Sequence, residues 1–384
     1  MADATTLARH LVAWSTAHGK GGTAAHNGQA PGGQAHRRAD VVRAILAIAD
    51  AGLAIADLVA MGPLAGEMAA VRGESNGDTQ KELDLRSHDI VVDRLASAPV
   101  AVVGSEESDA PVLLDPAGTL AVAIDPLDGS SNIETNVSVG TIFSILGVED
   151  ANDPAAALLQ PGHRQLAAGF LVYGPQTALV LTLGEGTEIF ILDKRPVEPV
   201  VAVHGGGGWA SPPPITPTAE FVRMGSAVAV APETKEFAIN ASNQRHWAPS
   251  IRRYIDDCLA GADGPRAKNY NMRWIASLVA DAFRILRRGG VYLYPTDERP
   301  GYHTGRLRLV YEANPIAFVI EQAGGAATDG RNRILDLTPN HLHERTALVF
   351  GSKTEVERVA DHHAAPPILA DRAPLFGQRG LLRA

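Results

Sequence analysis

Two aspartates stand three residues apart at the end of an apolar run, in a segment that reads AIDPLDGSSN over 123–132. The apolar run before them predicts a buried strand, so Asp125 and Asp128 are expected where this strand ends and a turn begins. Carboxylates are costly to remove from water unless a partner compensates for the lost hydration. The sequence therefore predicts a cationic group close to these two side chains.

Four further acids stand at comparable points of the chain. Glu106 and Glu107 end the preceding predicted strand, Glu312 ends a predicted strand over 306–312, and Asp84 lies where a polar loop passes into a helix. Strand ends along one edge of an α/β sheet converge on a crevice. A cluster of carboxylates without histidine or cysteine is typical of Mg²⁺ or Mn²⁺ sites and not of zinc sites.

A purely structural interpretation exists for each of these signals taken alone. An Asp-x-x-Asp pair is typical of a helix N-cap followed by a first-turn acid, and two glutamates after a strand are typical of a solvated turn. The combination with a Pro-Gly turn and the hydroxyls of Ser130 and Ser131 is more specific, because a helix starting there would form an anion site. Acids beside an anion site predict metal-assisted phosphate chemistry.

Composition limits the class of protein. The 384 residues are 45% hydrophobic and 20% charged, with a formal net charge of −9. This is ordinary globular composition, and the acidic balance argues against a nucleic-acid binder, which needs clustered Lys and Arg. The one cysteine, Cys258, excludes an intrachain disulfide and a cysteine zinc site. We found no apolar run of transmembrane length and no signal-peptide pattern, so we expect a cytoplasmic enzyme without a membrane partner.

Periodicity predicts a mixed α/β chain. Apolar spacing predicts helices over 39–61, 249–260, 275–288 and 314–324, and helices that begin near His88 and Thr354. Apolar runs predict strands over 99–108, 119–125, 140–148, 166–174, 177–184, 187–193, 290–295, 306–312 and 346–352. Five consecutive strands joined by short connections, 119–193, predict an antiparallel meander. The polar stretch 73–89 is expected to be mostly loop, and the Gly/Pro-rich stretch 203–218 is expected to be irregular.

The same patterns suggest a division of the chain. We expect a mobile N-terminal segment over 1–35, an N-terminal α/β domain over 36–224 that carries the acids, and a C-terminal α/β domain over 225–384 with a flexible tail from about residue 364. The Gly/Pro-rich stretch just before residue 224 is the reason for the boundary.

Three long motifs resemble those of class I fructose-1,6-bisphosphatases, a family of the lithium-sensitive, Mg²⁺-dependent phosphatases. They read VGSEES, AIDPLDGSSNIETNVSVGTIFSI and GRLRLVYEANPIAFVIEQAGGAATDG, and the resemblance covers about 36–359. It implies a layered α-β-α-β-α fold with two mixed sheets and a homotetramer. It also implies hydrolysis of the 1-phosphate of fructose 1,6-bisphosphate with two or more Mg²⁺ ions, Mn²⁺ being possible, in gluconeogenesis or the Calvin cycle.

The resemblance also implies a role for individual residues. The implied metal ligands are Glu106, Glu107, Asp125, the carbonyl of Leu127, Asp128 and Glu312. Asp84 and Glu106 would assist the attacking water. The 1-phosphate would be held by Asp128, Gly129, Ser130 and Ser131. The sugar and its second phosphate would be held by Asn243, His246, Tyr294 and Arg306, with Arg273 reaching in from a neighbouring subunit.

The chain departs from the better-known pattern of this family at the substrate end. Arg306 stands where a lysine is usual, and His246 and Trp274 stand where many relatives have tyrosine. Arginine binds phosphate in a planar, two-pronged geometry and lysine binds it as a point charge, so the pocket is expected to differ in shape. Sedoheptulose-1,7-bisphosphatase activity, alone or as a second activity, therefore stays open.

Two further alternatives are weaker. An inositol-monophosphatase-like enzyme would not be expected to carry a full second-phosphate pocket. A non-catalytic regulatory subunit would be expected to lack at least one of the metal-binding acids, and this chain has them all.

Regulation is expected to differ from that of animal and chloroplast relatives. In the family's AMP pocket, Thr119 and Leu120 occupy the positions of a Lys-Tyr pair and Gly147 that of an arginine, although Arg37 and Arg38 could compensate in part. Hydrogen bonds to charged groups contribute about 1.5–3 kcal/mol each. We therefore expect an enzyme that is insensitive to AMP. With one cysteine, it should also be insensitive to dithiol reductants.

Overall fold

The computed structural model describes residues 5–17, 31–67, 70–75, 78–194 and 219–365. The predicted irregular stretch 203–218 and nearly all of the predicted C-terminal tail lie outside these residues. The helices are α1 Leu7–Thr16, α2 Pro31–Met61, α3 Glu82–Leu95, α4 Pro249–Leu259, α5 Leu278–Arg288, α6 Asn314–Gln322 and α7 Lys353–Ala364.

The strands fall into two large sheets and two short ribbons. They are β1 Val71–Ser75, β2 Asp78–Lys81, β3 Val100–Ser105, β4 Val112–Leu113, β5 Leu120–Asp128, β6 Val139–Gly147, β7 Ala167–Tyr173, β8 Thr177–Thr182, β9 Thr187–Asp193, β10 Glu220–Arg223, β11 Glu236–Ala238, β12 Asn271–Met272, β13 Val291–Tyr294, β14 Leu307–Arg308, β15 Ala326–Thr328, β16 Arg345–Thr346 and β17 Leu348–Gly351. The ribbons are β1-β2 and β14-β16.

The larger sheet has eight strands in the order β10-β9-β8-β7-β6-β5-β3-β4. Strands β5 to β10 are antiparallel neighbours, which confirms the predicted meander, and β3 alone pairs with β5 in parallel. Every residue of β5 and β6 is buried. Both faces of the sheet centre are therefore covered, which explains why these strands read as continuous apolar runs.

The smaller sheet has five strands in the order β12-β11-β13-β17-β15. Strand β11 pairs in parallel with β12 and β13, and the remaining pairs are antiparallel. Both large sheets are therefore mixed, as predicted.

The helices occupy three layers around the two sheets. Helices α1, α2 and α3 pack on one face of the eight-stranded sheet, where Ile45 and Phe143 share a core. Helices α5 and α6 fill the space between the two sheets, with Val279 and Ile316 in a second core. Helices α4 and α7 cover the far face of the five-stranded sheet. This order confirms the predicted α-β-α-β-α layering.

Two expectations for the N-terminal part do not hold. The predicted mobile segment contains helix α1, whose Leu7 and Leu11 are buried in the first core. An apolar helix of membrane-spanning length does exist, since a window within 35–65 has a mean hydropathy of 2.0. Half of that window is buried inside the protein. A core helix of a globular protein passes the same length and composition test, so α2 is weak evidence for a membrane span.

The predicted strand over 306–312 and the predicted loop over 73–89 are also wrong in part. Strand β14 covers only Leu307–Arg308, and a π-helical turn over Leu309–Ala313 then leads into α6. The alternation RLRLVYE satisfies a strand pattern, but tertiary packing overrides this local preference. The polar stretch forms the ribbon β1-β2 and the first half of α3, which buries Leu83, Asp84 and Ser87.

Candidate active site

A bulge in β5 brings two aspartates to the same face of the sheet. Residues three apart on a regular strand point to opposite faces. The pairing of β5 with β6 is irregular here, because Asp125 faces Ile142 whereas Asp128 faces Gly140. One extra residue is thus accommodated around Pro126 and Leu127, and it reverses the facing of Asp128. The N–H of Leu127 donates to Asp125 Oδ1 at 3.0 Å, which fixes this carboxylate.

A second irregularity positions Glu312. The residue lies in the π-helical turn Leu309–Ala313 and is buried. A π-helical turn inserts one residue relative to an α-helix and is frequent at functional sites. Its carboxylate accepts a hydrogen bond from the backbone N–H of Arg308, so the end of β14 holds this side chain in place. Sequence analysis expected Glu312 at the same site but on a strand.

The three carboxylates form one tight cluster. Oxygens of Asp125, Asp128 and Glu312 all lie within 4.8 Å of one another, and all three residues are buried. Burial raises the pKa of Asp125 well above its usual range, and the charges of Glu106, Asp128, Glu312 and Glu107 raise it further. The acids thus disfavour each other's ionised form.

Asp128 is also tied to the start of helix α5. The N–H of Val279 donates to Asp128 Oδ2 at 3.0 Å. Burial raises the pKa of Asp128 to about 6, although the N–H groups of Val279 and Leu278 oppose the shift. A helix N-terminus stabilises a negative charge. The sequence analysis missed this contact, although Ser277 before an amphipathic run is a usual N-cap signal, and the Ser277 side chain does cap α5.

Arg308 is a buried cation at the edge of the carboxylate cluster. Its side chain is 3% exposed, and its Nε lies 3.9 Å from Glu106 Oε1. Its Nη1 donates to the carbonyl of His343 at 3.3 Å. The alternation RLRL over 306–309 fits a strand with its arginines on a solvent face, but the structure places Arg308 beside Glu106. One arginine does not balance five carboxylates.

The donor set fits a divalent cation. Asp125, Asp128 and Glu312 offer only oxygen ligands, which Mg²⁺ and Mn²⁺ prefer. Several carboxylates buried together are costly unless a cation neutralises them. Glu106 and Glu107, which follow β3, lie close enough to perturb Asp125 but outside the tight cluster. Leu127 lies in the bulge between the two aspartates, where the ladder is interrupted.

Asp84 lies on a separate element beside the turn that follows Asp128. It is the third residue of α3, where Oδ2 accepts the N–H of Lys81 at 2.7 Å. Lys81 Nζ donates to the carbonyl of Ser130 at 3.0 Å and so links this helix start to the turn. Asp84 Oδ1 is buried and makes no hydrogen bond within the described residues. Burial raises the pKa of Asp84 to about 6.

The segment after Asp128 forms a turn and not an α-helix. Gly129 has a φ of 80°, which favours glycine, and a 3-10 turn follows over Ser130–Thr135. Asn132 Nδ2 donates to the carbonyl of Ala276 at 2.7 Å, so the turn is fastened to the residues just before α5. Ser131 is exposed and Ser130 half-buried. The segment expected to bind an anion is therefore a 3-10 turn and not the start of an α-helix.

The predicted sugar and second-phosphate residues come together in part. Asn243 and Tyr294 line one small cleft, together with Trp274. Arg306 lies close enough to Tyr294 to lower its pKa, although burial raises the net value. Arg306 also donates to the hydroxyl of Tyr302 and lies over its ring, with 4.9 Å to the ring centre.

His246 and Arg273 lie at the margins of this group. Arg245 Nε donates to His246 Nε2 at 2.9 Å, and His246 lies near Asp297. Arg273 is half-exposed and points to Glu236, with 3.8 Å from its Nε to that carboxylate. Within one chain, the structure does not bring Arg273 to the cleft of Asn243.

Comparisons with known proteins agree with this geometry. Residues 40–198 match the fructose-1-6-bisphosphatase N-terminal domain, and residues 230–364 match its C-terminal domain. The chain is 56% identical over 331 residues to fructose-1,6-bisphosphatase class 1 of Azorhizobium caulinodans, covering 85% of this chain and 94% of that protein. It is 54% identical over 349 residues to the protein of the same description from Rhizobium meliloti, covering 90% of this chain and 94% of that protein.

A solved structure shows the same fold. The crystal structure of Leishmania major fructose-1,6-bisphosphatase in holo form superposes with a TM-score of 0.77 at 29% identity, covering 94% of this chain and all 100% of that chain. The apo form of that enzyme gives a TM-score of 0.72 at 28% identity over 94% of this chain and 100% of that one. The chain therefore belongs to the class I fructose-1,6-bisphosphatase family.

Proposed function

We propose that the chain hydrolyses the 1-phosphate of fructose 1,6-bisphosphate to give fructose 6-phosphate and phosphate, with Mg²⁺ held by its buried carboxylates. The observation that carries this proposal is the cluster of Asp125, Asp128 and Glu312, whose oxygens lie within 4.8 Å of one another. Family membership supplies the substrate. Glu106, Glu107 and the carbonyl of Leu127 would complete the ligand set, for two or more ions.

The cation supplies charge neutralisation of the phosphoryl oxygens and a lowered pKa of the attacking water. The turn Gly129–Ser131 holds the phosphate at the mouth of the cluster. Its position is set from two sides, by Lys81 Nζ on the carbonyl of Ser130 and by Asn132 on the carbonyl of Ala276. These two hydrogen bonds fix the turn, so the phosphate is oriented before reaction and the entropic part of the activation barrier is lower.

Asp84 accepts the proton of the attacking water, with Glu106 as its assistant. Asp84 Oδ1 has no protein partner among the described residues, whereas Oδ2 is fixed by Lys81. With a pKa of about 6, Asp84 is mostly ionised at pH 7 yet more basic than a solvated aspartate. A catalytic base works best with a pKa close to the working pH.

The second phosphate is bound by Arg306 with Asn243, Tyr294 and His246. Arg273 would complete the pocket of a neighbouring subunit, because it is half-exposed and lies outside this cleft within its own chain. We therefore propose a homotetramer with shared sites. We also propose that the boundary between the N-terminal and C-terminal domains lies near residue 224 and that the enzyme acts in the cytoplasm.

A sedoheptulose 1,7-bisphosphatase activity is the second candidate. Arg306 lies over the ring of Tyr302, and its guanidinium binds phosphate through a planar fork, whereas a lysine ammonium acts as a point charge. This end of the site could therefore accept a phosphate one carbon further away.

A panel of substrates tests the proposal. Phosphate release is measured with and without Mg²⁺ for fructose 1,6-bisphosphate, sedoheptulose 1,7-bisphosphate and inositol monophosphate. We expect the highest kcat/KM for fructose 1,6-bisphosphate and no release in EDTA. A higher value for sedoheptulose 1,7-bisphosphate would establish the second candidate, and release from inositol monophosphate alone would refute both.

A further inference from the structure

A second cleft lies in the C-terminal half of the chain. It contains none of the residues assigned above to the metal site or to the substrate. It is bounded by the first turn of α4, by the end of α7 and by loops within 296–304, 329–331 and 337–347. Its volume is about 730 Å³, which is within the range of small-molecule sites. We refer to it as the α4 cleft.

Basic side chains line the α4 cleft. They are Arg253, Arg331, Arg345, His303, His362 and His363. Within the described part of the chain, neither Arg253 nor Arg331 forms an ion pair, and Arg253 Nη2 donates only to the carbonyl of His362 at 3.0 Å. In a chain with a formal net charge of −9, two arginines without carboxylate partners beside one cleft favour an anionic occupant.

The two acids that line the cleft are already engaged by amide groups. Asp329 Oδ1 accepts the N–H groups of Arg331 and Asn332, both at 2.7 Å. Glu344 Oε2 accepts the side-chain amide of Asn340 at 3.0 Å as well as its backbone N–H. These amides stabilise the carboxylates, so the acids do not need the arginines as partners.

The start of helix α4 adds donors on one wall. Its N-cap residue, Ala248, supplies no side-chain cap, and Pro249 has no N–H. Within the described residues, the N–H groups of Ser250 and Ile251 make no hydrogen bond. Unsatisfied N–H groups at a helix start attract anions, and the helix dipole acts in the same direction.

An independent observation concerns the hydroxyl of Ser250. This residue lines the cleft and is 8% exposed. Within the described residues its hydroxyl has no hydrogen-bond partner. An oxyanion in the cleft would accept the proton of this hydroxyl, a hydrogen bond that no described residue supplies.

We propose that the α4 cleft binds a phosphate dianion, either free or carried by a small metabolite, at a site separate from the catalytic carboxylates. The first turn of α4 and the Ser250 hydroxyl bind it from one side. Arg253, on the next turn of α4, and Arg331, on the loop after β15, bind it from the others. This inference is independent of the proposed function.

Calorimetric titration of the metal-free protein with inorganic phosphate tests the site. The parent carries Arg306→Gln, so that phosphate binding at the substrate end is weakened. Arg253→Gln with Arg331→Gln should weaken binding at least tenfold, because hydrogen bonds to charged groups are lost. The control, Arg287→Gln with Lys353→Gln, removes the same charge from exposed positions elsewhere and should change the Kd less than twofold.

Three results would overturn the site. They are no phosphate binding by the parent up to about 10 mM, an unchanged Kd in the cleft variant, and an equal loss in the control. Ser250→Ala gives a test that leaves all charges in place, with an expected loss of about 3- to 10-fold, and an unchanged Kd in that variant also counts against the site. Glycerol 1-phosphate, run in parallel, separates the two sources: tighter binding than inorganic phosphate indicates a phosphorylated metabolite, and equal binding indicates free phosphate.

Discussion

The carboxylate cluster and the Asn243–Arg306 cleft are built in different ways. Asp125, Asp128 and Glu312 are all buried and sit on a bulged strand and a π-helical turn, where backbone N–H groups hold them. The residues at the substrate end lie on a 3-10 turn over Ala241–His246, at the end of β13 and on a loop, and they are partly exposed. Arg306 lies over the ring of Tyr302. Under the proposed function, the acids could change little without loss of the metal, whereas the cleft could change shape. Reaction type and substrate choice would then be set by different ends of one site.

The largest expected effect is at the metal end. Asp128→Asn removes one charge from the cluster at almost constant volume. We expect kcat to fall on the order of 10³-fold at saturating Mg²⁺, with the fold retained. Asp93→Asn, on the exposed face of α3, is the matched control and should keep full activity. Unchanged turnover of Asp128→Asn in a phosphate-release assay would remove the metal assignment.

The substrate end should respond in KM. Arg306→Gln is expected to raise the KM for fructose 1,6-bisphosphate by about 10- to 100-fold through loss of a charge-assisted contact. Its kcat should change little, because the residue acts far from the reacting phosphate. Arg306→Lys should recover part of the affinity. A fall in kcat at constant KM would show that Arg306 acts in the chemical step. It would contradict the separation of the site into a metal end and a substrate end.

Stability should also distinguish the two ends. The pKa of Asp128 is raised to about 6 from a usual value of 3.8, so the folded, metal-free protein binds more protons than the unfolded chain between these pH values. The unfolding free energy therefore falls as pH rises through this window, by about 3 kcal/mol for this group. The unfolding free energy of Asp128→Asn should not fall in this way. In EDTA, the Tm of this variant minus the Tm of the unmodified protein should therefore increase from pH 4.5 to pH 7.5.

Added Mg²⁺ gives the complementary result. It should raise the Tm of the parent more at pH 7.5 than at pH 4.5, because the carboxylates are then ionised and available. An equal rise at both pH values, or in the Asp128→Asn variant, would show that the raised pKa values do not belong to a cation site.

The smallest effect, none at all, is expected for AMP. In the region of the family's AMP pocket, Thr119 Oγ1 donates to the buried Asp40 at 2.6 Å, and a Cβ on Gly147 would lie 2.7 Å from Arg37 Nη1. The Asp40 carboxylate is thus engaged by Thr119 and by an ion pair with Arg43, and Arg37 lies close to Gly147. A titration is expected to leave activity unchanged at millimolar AMP, and half-inhibition at micromolar AMP would contradict the expectation.

The sequence allowed the layers, the meander and the acids of the cluster to be predicted, because apolar runs and long motifs carry that information. It did not reveal how the acids meet. The bulge at Pro126 and the π-helical turn at Glu312 each insert one residue into an otherwise regular element. The position of Arg308 beside the acids could not be predicted either, since the alternation in RLRL fits a surface strand. Tertiary contacts override such local patterns.

Direct measurement of bound metal tests the central claim, that carboxylates from β5 and from the π-helical turn before α6 form one cation site. Mn²⁺ binding is followed by electron paramagnetic resonance in the parent and in Glu312→Gln, alongside phosphate release from fructose 1,6-bisphosphate. We expect the unmodified protein to bind Mn²⁺, with activity that rises in step with occupancy. Glu312→Gln should lose both Mn²⁺ binding and activity. Glu357→Gln, at an exposed position of α7, should keep both. Undiminished Mn²⁺ binding by Glu312→Gln, or full activity of the parent without any bound divalent metal, would contradict the account.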